Sequence, residues 1–352
     1  MNAVDVVIPC YNYARFLPQC VRSVLTQEGV DVRVLIIDDC SGDDSETVGL
    51  YLASSDRRVE FRRHSKNRGH IATYNEGLLE WASAEYSLLL SADDALAPGA
   101  LDRATRIMEQ HREVGMTYGM ALVINDDYSH DLASEFISEE YRVVSSSEFL
   151  KNSFLNGNAV STPTAVVRTK LQQRLGGYRA DLPHSGDMEM WMRFAVHAPV
   201  GVLRTVQAYY RMHGGNMGYQ YYNQLLGDHR EVIQACELIL TQWGMHFSDS
   251  SLWKEMMLQR ISKNACWLAS SAFDNGDTKG YLTCFKFAEQ VFPKIRGSKI
   301  WWFLRIKGFL GQTVWQIMRP TWKRLRRIVK PGSNSQMPTS QLFGWWPEYP
   351  AS

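Results

Sequence analysis

The sequence predicts an α/β fold with a largely parallel central sheet, joined to a helical C-terminal region. Three observations predict it. Short apolar runs alternate with stretches of helical periodicity through the first half. Turn residues or acidic pairs close those runs. From Tyr219 to about Phe292 the pattern is almost entirely helical.

The elements follow in order. Val4–Ile8 reads as a strand stopped by Pro9. Phe16, Cys20, Val21, Val24 and Leu25 recur at helical spacing. Val32–Ile37 is a second buried strand, ending in Asp38 and Asp39. A helix then begins in SGDDSETV, with Asp43 as its N-cap and Glu46 three residues on, in the manner of a capping box. Val59–Arg62 reads as a short strand and Ile71–Trp81 as a helix. Tyr86–Leu90 is a third apolar strand, followed by Ser91, Ala92, Asp93 and Asp94. Pro98 marks the first position of a further helix. Beyond Gly115 the pattern loosens. Met116–Ile124 and Pro163–Val167 read as strands, Asn125–Tyr141 as loop, Asp187–His197 as a helix and Tyr209–Asn216 as a strand end and loop. No internal repeat is visible.

Composition narrows the class. The chain has 352 residues, 45% hydrophobic and 21% charged, values ordinary for a soluble globular protein of about two domains. This excludes a wholly disordered chain, a collagen and a coiled-coil rod. No signal peptide is expected from MNAVDVVIPCYN, and no run of about 18 apolar residues exists to span a bilayer. Six scattered cysteines, none in a C-x-x-C pair, argue against a zinc site or disulfide scaffold and point to a reduced, cytoplasmic setting.

The net charge of +1 hides an asymmetry. Between Lys294 and Lys330 there are eleven Lys/Arg, four Trp and no acid, leaving 27 bases against 37 acids elsewhere. Tryptophan and bases on a helical pattern are the signature of a helix lying in a membrane interface. The expectation is therefore a peripheral protein at the inner face of an anionic membrane. The plainer reading is a helix packed on the protein's own body. A nucleic-acid partner is not expected, because the aromatics lie among aliphatics rather than free to stack. The last residues, from Pro331, read as a flexible tail.

Ligands of open α/β sheets bind outside the carboxyl ends of the strands. Two strands here deliver acidic pairs to that edge, and clustered carboxylates suit a hard cation that also binds phosphates. G-x-G-x-x-G and G-x-x-x-x-G-K-[ST] are both absent, so phosphate falls to a metal and to bases such as Arg68 and His213.

At these residues the chain resembles inverting family 2 glycosyltransferases. The segments VVIPCYNYARFLPQCVRSVLTQ, IIDDCSGDDSETV, NRGHIATYNEGL and LLLSADD carry the likeness over residues 3–125. GGYRADLPHSGDMEMWMRF and YYRMHGG extend it to about residue 216. The resemblance implies a GT-A fold with a Rossmann-like sheet over residues 1–217. A helical region at 218–330 and a tail at 331–352 complete the expected organisation. It implies transfer of a sugar from a nucleotide diphosphate, with uridine or thymidine as the base, to a hydroxyl on a glycan or lipid-linked acceptor of cell-surface polysaccharide.

Carried over residue by residue, the resemblance implies that Pro9, Tyr11 and Asn12 contact the nucleotide. Asp39 accepts from the base N3–H, and Arg68 lines the same pocket. Asp93 holds Mg²⁺ or Mn²⁺, and Asp94 faces the donor sugar or metal. Asp187 is the general base, and His213 contacts metal or diphosphate. Two departures stand out. The D-x-D motif reads Ser91-Ala92-Asp93, and the usual Glu-Asp pair reads Gly186-Asp187. The rival readings are a nucleotidyltransferase and a nucleotide-sugar-binding protein with weakened catalysis. The first would need a Gly-rich basic loop that PCYNYARF does not supply. Retention of Asp93, Asp187 and His213 argues against the second.

Overall fold

Alternate residues of the first two strands face opposite cores, which is why both read as unbroken apolar runs. Val4, Val6 and Ile8 of β1 (Asn2–Cys10) join Val34 and Ile36 of β2 (Val30–Asp38) in one cluster, while Val7, Leu35 and Ile37 join another. A computed structural model describes residues 1–125, 138–216, 226–329 and 342–347.

The chain continues through α1 (Leu17–Leu25), α2 (Ser45–Ser55) and β3 (Val59–Arg63). Next come α3 (His70–Asn75, continued by a π-helical turn over Glu76–Trp81) and β4 (Tyr86–Leu89). β5 (Ala95–Leu96), α4 (Ala100–Gln110), β6 (Met116–Ile124) and β7 (Tyr141–Val144) follow. Then come α5 (Ser146–Asn156), β8 (Val166–Arg168), α6 (Thr169–Leu175), α7 (Gly186–His197) and β9 (Val200–Arg211). The C-terminal helices are α8 (Gly227–Trp243), α9 (Ser250–Asp274), α10 (Thr278–Val291) and α11 (Lys299–Val329); β10 (Leu342–Phe343) follows them.

Among the described residues one sheet runs β3-β2-β1-β4-β8-β6-β9-β5, with β7 added on β9 and β10 on β6. The sheet is mixed rather than largely parallel. β1, β2, β3 and β4 pair in parallel, but β8 enters antiparallel between β4 and β6. No local pattern reports the direction of so short a strand.

Several boundaries differ from the sequence expectation. Pro9 does not stop β1; it lies inside the strand, opposite Ile37. Pro98 precedes α4 by two residues, because Gly99 takes a left-handed φ of 69° as the residue before the helix. Asp43 does not form a capping box with Glu46. Its Oδ1 accepts from the Ser45 amide at 3.0 Å, and Glu46 instead pairs with Arg63 at 3.3 Å. Met116–Ile124 forms the expected strand, whereas Pro163 sits in a 3-10 turn ahead of β8.

The helical C-terminal region shares a core with the sheet. One apolar cluster contains Val7 and Leu89 of the sheet, Phe154 of α5, Trp191 of α7, Ile239 of α8, Met257 of α9 and Leu304 of α11. The expected boundary at 217/218 falls outside the described residues. Of the expected flexible tail, 331–341 and 348–352 also lie outside them. Residues 342–347 do not behave as a free tail: Leu342 and Phe343 pair with Leu122 and Ala121, and Arg142 donates to the Pro347 carbonyl at 2.6 Å. All six cysteines are free thiols.

Candidate active site

The edge formed by the carboxyl ends of β1, β2 and β4 gathers most of the expected residues. The amides of Leu90 and Ala92 donate to the carbonyls of Val7 and Pro9, at 2.9 and 3.3 Å. The backbone after β4 therefore stays beside β1, which brings Asp93 to the β1 mouth.

Tyr11 stands at that mouth, 48% exposed. Asn12 takes a left-handed φ of 60°. Its amide donates to Ser41 Oγ at 2.9 Å, and its Oδ1 accepts from the Gly42 amide at 2.8 Å. Asn12 thus ties the β1–α1 turn to the β2–α2 turn. Asp38 is fully buried, held by Arg63 and Ser41. Asp39, 3% exposed, takes the Arg68 amide on Oδ1 at 2.7 Å and the Gly69 amide on Oδ2 at 2.8 Å. His64 lies between Asp39 Oδ1 (2.7 Å) and Glu76 Oε2 (3.0 Å), and Arg68 donates to the same Glu76 oxygen at 2.5 Å. A carboxylate has about four lone-pair sites. Three partners leave Asp39 room for one more donor.

Asp93 and His213 meet. His213 Nε2 lies 3.0 Å from Asp93 Oδ2, and Asn216 Nδ2 lies 3.4 Å from the same oxygen. The Gly215 amide donates to His213 Nδ1 at 3.1 Å, which puts the ring proton on Nε2, facing Asp93. Octahedral Mg²⁺ binds its ligands at about 2.0–2.1 Å, so neighbouring ligands stand about 3 Å apart. The Asp93–His213 spacing fits a shared cation, provided the Gly215 amide turns away and the proton leaves Nε2. No group of three or more potential His, Cys, Asp or Glu ligands exists among the described residues. This donor set suits a cation that arrives with a diphosphate and is weak for a free one. Asp94 points elsewhere. Its Oδ1 accepts from the Arg211 amide at 2.9 Å, and burial, with the adjacent Asp93 charge, pushes its carboxyl well above the usual range.

Asp187 lies at the start of α7. Its Oδ1 accepts from the Met188 amide at 2.6 Å, and its Oδ2 accepts from Asn158 Nδ2 at 2.8 Å. Burial raises its carboxyl to about 6, against the pull of the Met188 amide and the nearby His184. The lost acidic neighbour at Gly186 is therefore not needed for a raised pKa. Tyr74 connects the two halves. Burial raises its phenol, and the charges of Asp93, Asp187 and Asp94 raise it further, so the ring is within electrostatic reach of both the strand-end carboxylates and the α7 carboxylate. It stacks edge-on against Tyr178 at 5.5 Å.

Sequence reasoning passed over Arg211, His64, Tyr74 and Asn158. Arg211 is 1% exposed and donates to the Asp93 carbonyl (2.9 Å), the Asn125 carbonyl (3.1 Å) and Gln19 Oε1 (2.7 Å). It lies two residues before His213, in the quoted YYRMHGG, and its type there was the available signal. His64 and Asn158 lie in segments with no motif of their own.

Residues 5–174 match the family described as Glycosyl transferase family 2. An uncharacterized protein of Mycobacterium tuberculosis is 30% identical over 206 residues, 56% of this chain and 63% of that protein. A GalNAc(5)-diNAcBac-PP-undecaprenol beta-1,3-glucosyltransferase of Campylobacter jejuni is 27% identical over 158 residues, 44% of this chain and 49% of its own. The chain thus spans one half to two thirds of the length of these relatives. Among solved structures, S. aureus TarS 1–349 in complex with UDP-GlcNAc superposes with a TM-score of 0.60 at 15% identity, covering 92% of each chain. Through residues 5–174, with two acidic strand ends converging at one sheet edge, the chain belongs to glycosyltransferase family 2 and has its GT-A fold.

Proposed function

We propose that the protein is an inverting glycosyltransferase using a uridine or thymidine diphosphate sugar, with a hydroxyl acceptor on a glycan or lipid-linked chain of cell-surface polysaccharide. The observation that carries this reading is Asp187 at the start of α7, held by Asn158 and the Met188 amide with its carboxyl raised to about 6, and close enough to Tyr74, as are Asp93 and Asp94, for its charge to act on the same phenol. A base with a pKa near working pH is well matched to general-base catalysis. The relative from Campylobacter, named for a polyprenol-diphosphate-linked substrate, and the UDP-GlcNAc bound by the structural neighbour support the acceptor and donor classes.

Pro9, Tyr11 and Asn12 border the nucleotide. Tyr11 offers an exposed ring, and Asp39 accepts the base N3–H on its spare lone pair. Arg68 presents its amide to Asp39 and its guanidinium to Glu76, which keeps the loop in place beside the base. Asp94 supports the donor side by holding the Arg211 backbone. Asp187 takes the proton from the acceptor hydroxyl while that oxygen bonds to the anomeric carbon. The bond from that carbon to the diphosphate oxygen breaks on the opposite face, and the nucleoside diphosphate leaves with the bonding pair. Asp93 and His213 would hold Mg²⁺ or Mn²⁺, whose chemistry is to neutralise charge on the leaving diphosphate. Turnover measured on UDP- and dTDP-sugars, with Mn²⁺ and with excess chelator, tests the reading. Full turnover in chelator would remove the metal, and no donor binding in a thermal-shift screen would remove the function.

The location proposed is the inner face of an anionic membrane. No helix among the described residues is long and apolar enough to cross a bilayer. α11 breaks at Gly311 (φ 74°, ψ 165°), a conformation available in practice only to glycine. On one side of α11, Trp301, Leu304, Lys307 and Trp315 are buried against the body. On the other, Trp302, Ile306, Phe309 and Ile317 are exposed, Phe309 by 91%. That outer face, with the exposed Lys299 and Arg305 of the same helix, is the surface offered to lipid. Sedimentation with anionic vesicles, weakened but not abolished by salt, is the expected result. A protein that ignores such vesicles at low salt would defeat it.

A further inference from the structure

The loop that carries the chain into α7 has no cap of its own. Ser185, the residue before the helix, makes no side-chain bond to the helix end. The amides of His184 and Ser185 are met from another element. Both donate to one oxygen of Glu231, Oε2, at 2.8 and 2.9 Å. Glu231 lies on α8, 46 residues further along the chain than Ser185, and is half-buried there.

The same helix holds the loop at two more points. Asp228 Oδ1 lies 3.3 Å from His184 Nε2, and Gln234 Nε2 donates to Asp181 Oδ2 at 3.2 Å. From α3, His70 Nε2 meets the Pro183 carbonyl at 2.9 Å. The other partner of Asp187 is also supported from the C-terminal region. Arg260 of α9 reaches the carbonyl of Phe154 at 3.5 Å, near the end of α5, four residues before Asn158. One carboxylate oxygen accepting two consecutive amides fixes the orientation of the peptide between them. Charge-assisted bonds of this kind are short and directional. Asp187 follows two residues later.

We propose that Glu231 is a positioning residue for Asp187, so that the helical C-terminal region completes the acceptor half of the active site. The proposal rests on Asp187 being the general base. Glu231 does not touch the reacting atoms. It sets where the Asp187 carboxylate stands relative to the acceptor oxygen, and a displacement of about 1 Å in such a group is worth on the order of a hundredfold in rate.

The experiment compares E231A, E231Q, E231D and D187N in the full chain, by kcat, KM for donor and UDP affinity. Glu231→Ala loses the shared acceptor, so kcat falls by roughly ten- to a hundredfold while UDP affinity holds. Glu231→Gln keeps an acceptor oxygen at the same reach and restores kcat to within about threefold of wild type. Glu231→Asp is one methylene short, and its kcat falls with that of Glu231→Ala. A purely structural role would lower the melting temperature and leave kcat untouched at temperatures well below it; that result overturns the proposal. If E231A does not fold, shown by lost UDP binding, E231D against E231Q decides, and equal kcat in the two overturns it. D187N separates the two layers. If D187N keeps its turnover, the base assignment fails. If D187N is inactive but E231A and E231D turn over like wild type, only the role of Glu231 fails.

Discussion

The proposed nucleotide half and the proposed base half of the site are held in different ways. Asp39 is fixed by amides of the neighbouring β–α loop, and Asp93 by the backbone running on from β4 beside β1. Asp187 is held by its own helix end and by Asn158, and its loop is clamped by α3 and α8. The first arrangement follows from strand order and turn chemistry. The second exists only once α5, α7, α8 and α9 have packed on one another. Damage to the nucleotide half should therefore be local, whereas damage to the base half can enter from remote helices.

The largest effect should come from the nucleotide side. Asp93→Asn is expected to reduce turnover by on the order of a thousandfold or more, since several kcal/mol of charge stabilisation depend on it. The fold should survive, checked by circular dichroism and melting temperature. Retained activity in Asp93→Asn would make the two halves unequal in the opposite sense.

The base side should respond to pH. Asp187→Asn is expected to lower kcat at least about a hundredfold with UDP affinity little changed. In the wild type kcat should fall as pH drops through about 6, where Asp187 takes up its proton. The same group has a stability signature of defined sign. Its folded pKa is raised, so the folded state holds the proton more tightly than the unfolded chain does. Stability tied to that proton is present below the unfolded value of about 3.9 and is lost as pH rises through about 6. Asp187→Asn should therefore stabilise the protein at pH 7.5 by up to about 3 kcal/mol, and leave it unchanged near pH 3.5. Denaturant melts at the two pH values check this, and an equal effect at both would contradict a raised pKa.

The two faces of α11 should respond differently to substitution. Trp301 is buried and donates to Glu289 at 2.9 Å, so Trp301→Ala should cost about 3–5 kcal/mol of stability. Phe309→Ser should cost little in solution, because the ring is 91% exposed, and should weaken vesicle binding. Ending the chain near Pro293 should destabilise the body, since Trp301, Leu304 and Trp315 belong to its core. Vesicle binding unaffected by Phe309→Ser would shift the lipid contact away from the Gly311 break.

The smallest effect concerns nucleotide choice. Asp39 has room for one more donor, and uracil and thymine have an N3–H where cytosine has none. UDP should bind about tenfold tighter than CDP, equivalent to roughly 1.5 kcal/mol for a hydrogen bond to a charged group. Equal affinities by calorimetry would release Asp39 from base recognition and leave it as a clamp on Arg68 and Gly69.

Much of the sheet was legible because strands buried on both faces write continuous apolar runs, and because Asp39 and, after Ser91 and Ala92, Asp93 follow those runs. The family motifs fall on the same strand ends, so the fold and the candidate carboxylates were read together. Strand direction at β8 was not legible, since three residues carry no record of their neighbours. Nor was the β10 pairing, because Leu342 and Phe343 differ from any other short apolar pair only in finding an open edge of β6.

The sequence by itself determined that α/β alternation produces a sheet edge lined with carboxylates, that Asp187 starts a helix, and that the C-terminal segment is basic and rich in tryptophan. Those are properties of residues close together in the chain, governed by periodicity, turns and charge. The tertiary structure alone decided that His213 stands 3.0 Å from Asp93, 120 residues away. It also decided that Trp301 faces inward while Trp302 faces out, and that burial lifts Asp187 to about 6. The physical reason is that desolvation and hydrogen-bond partners belong to a place in the folded molecule, and distant segments build that place.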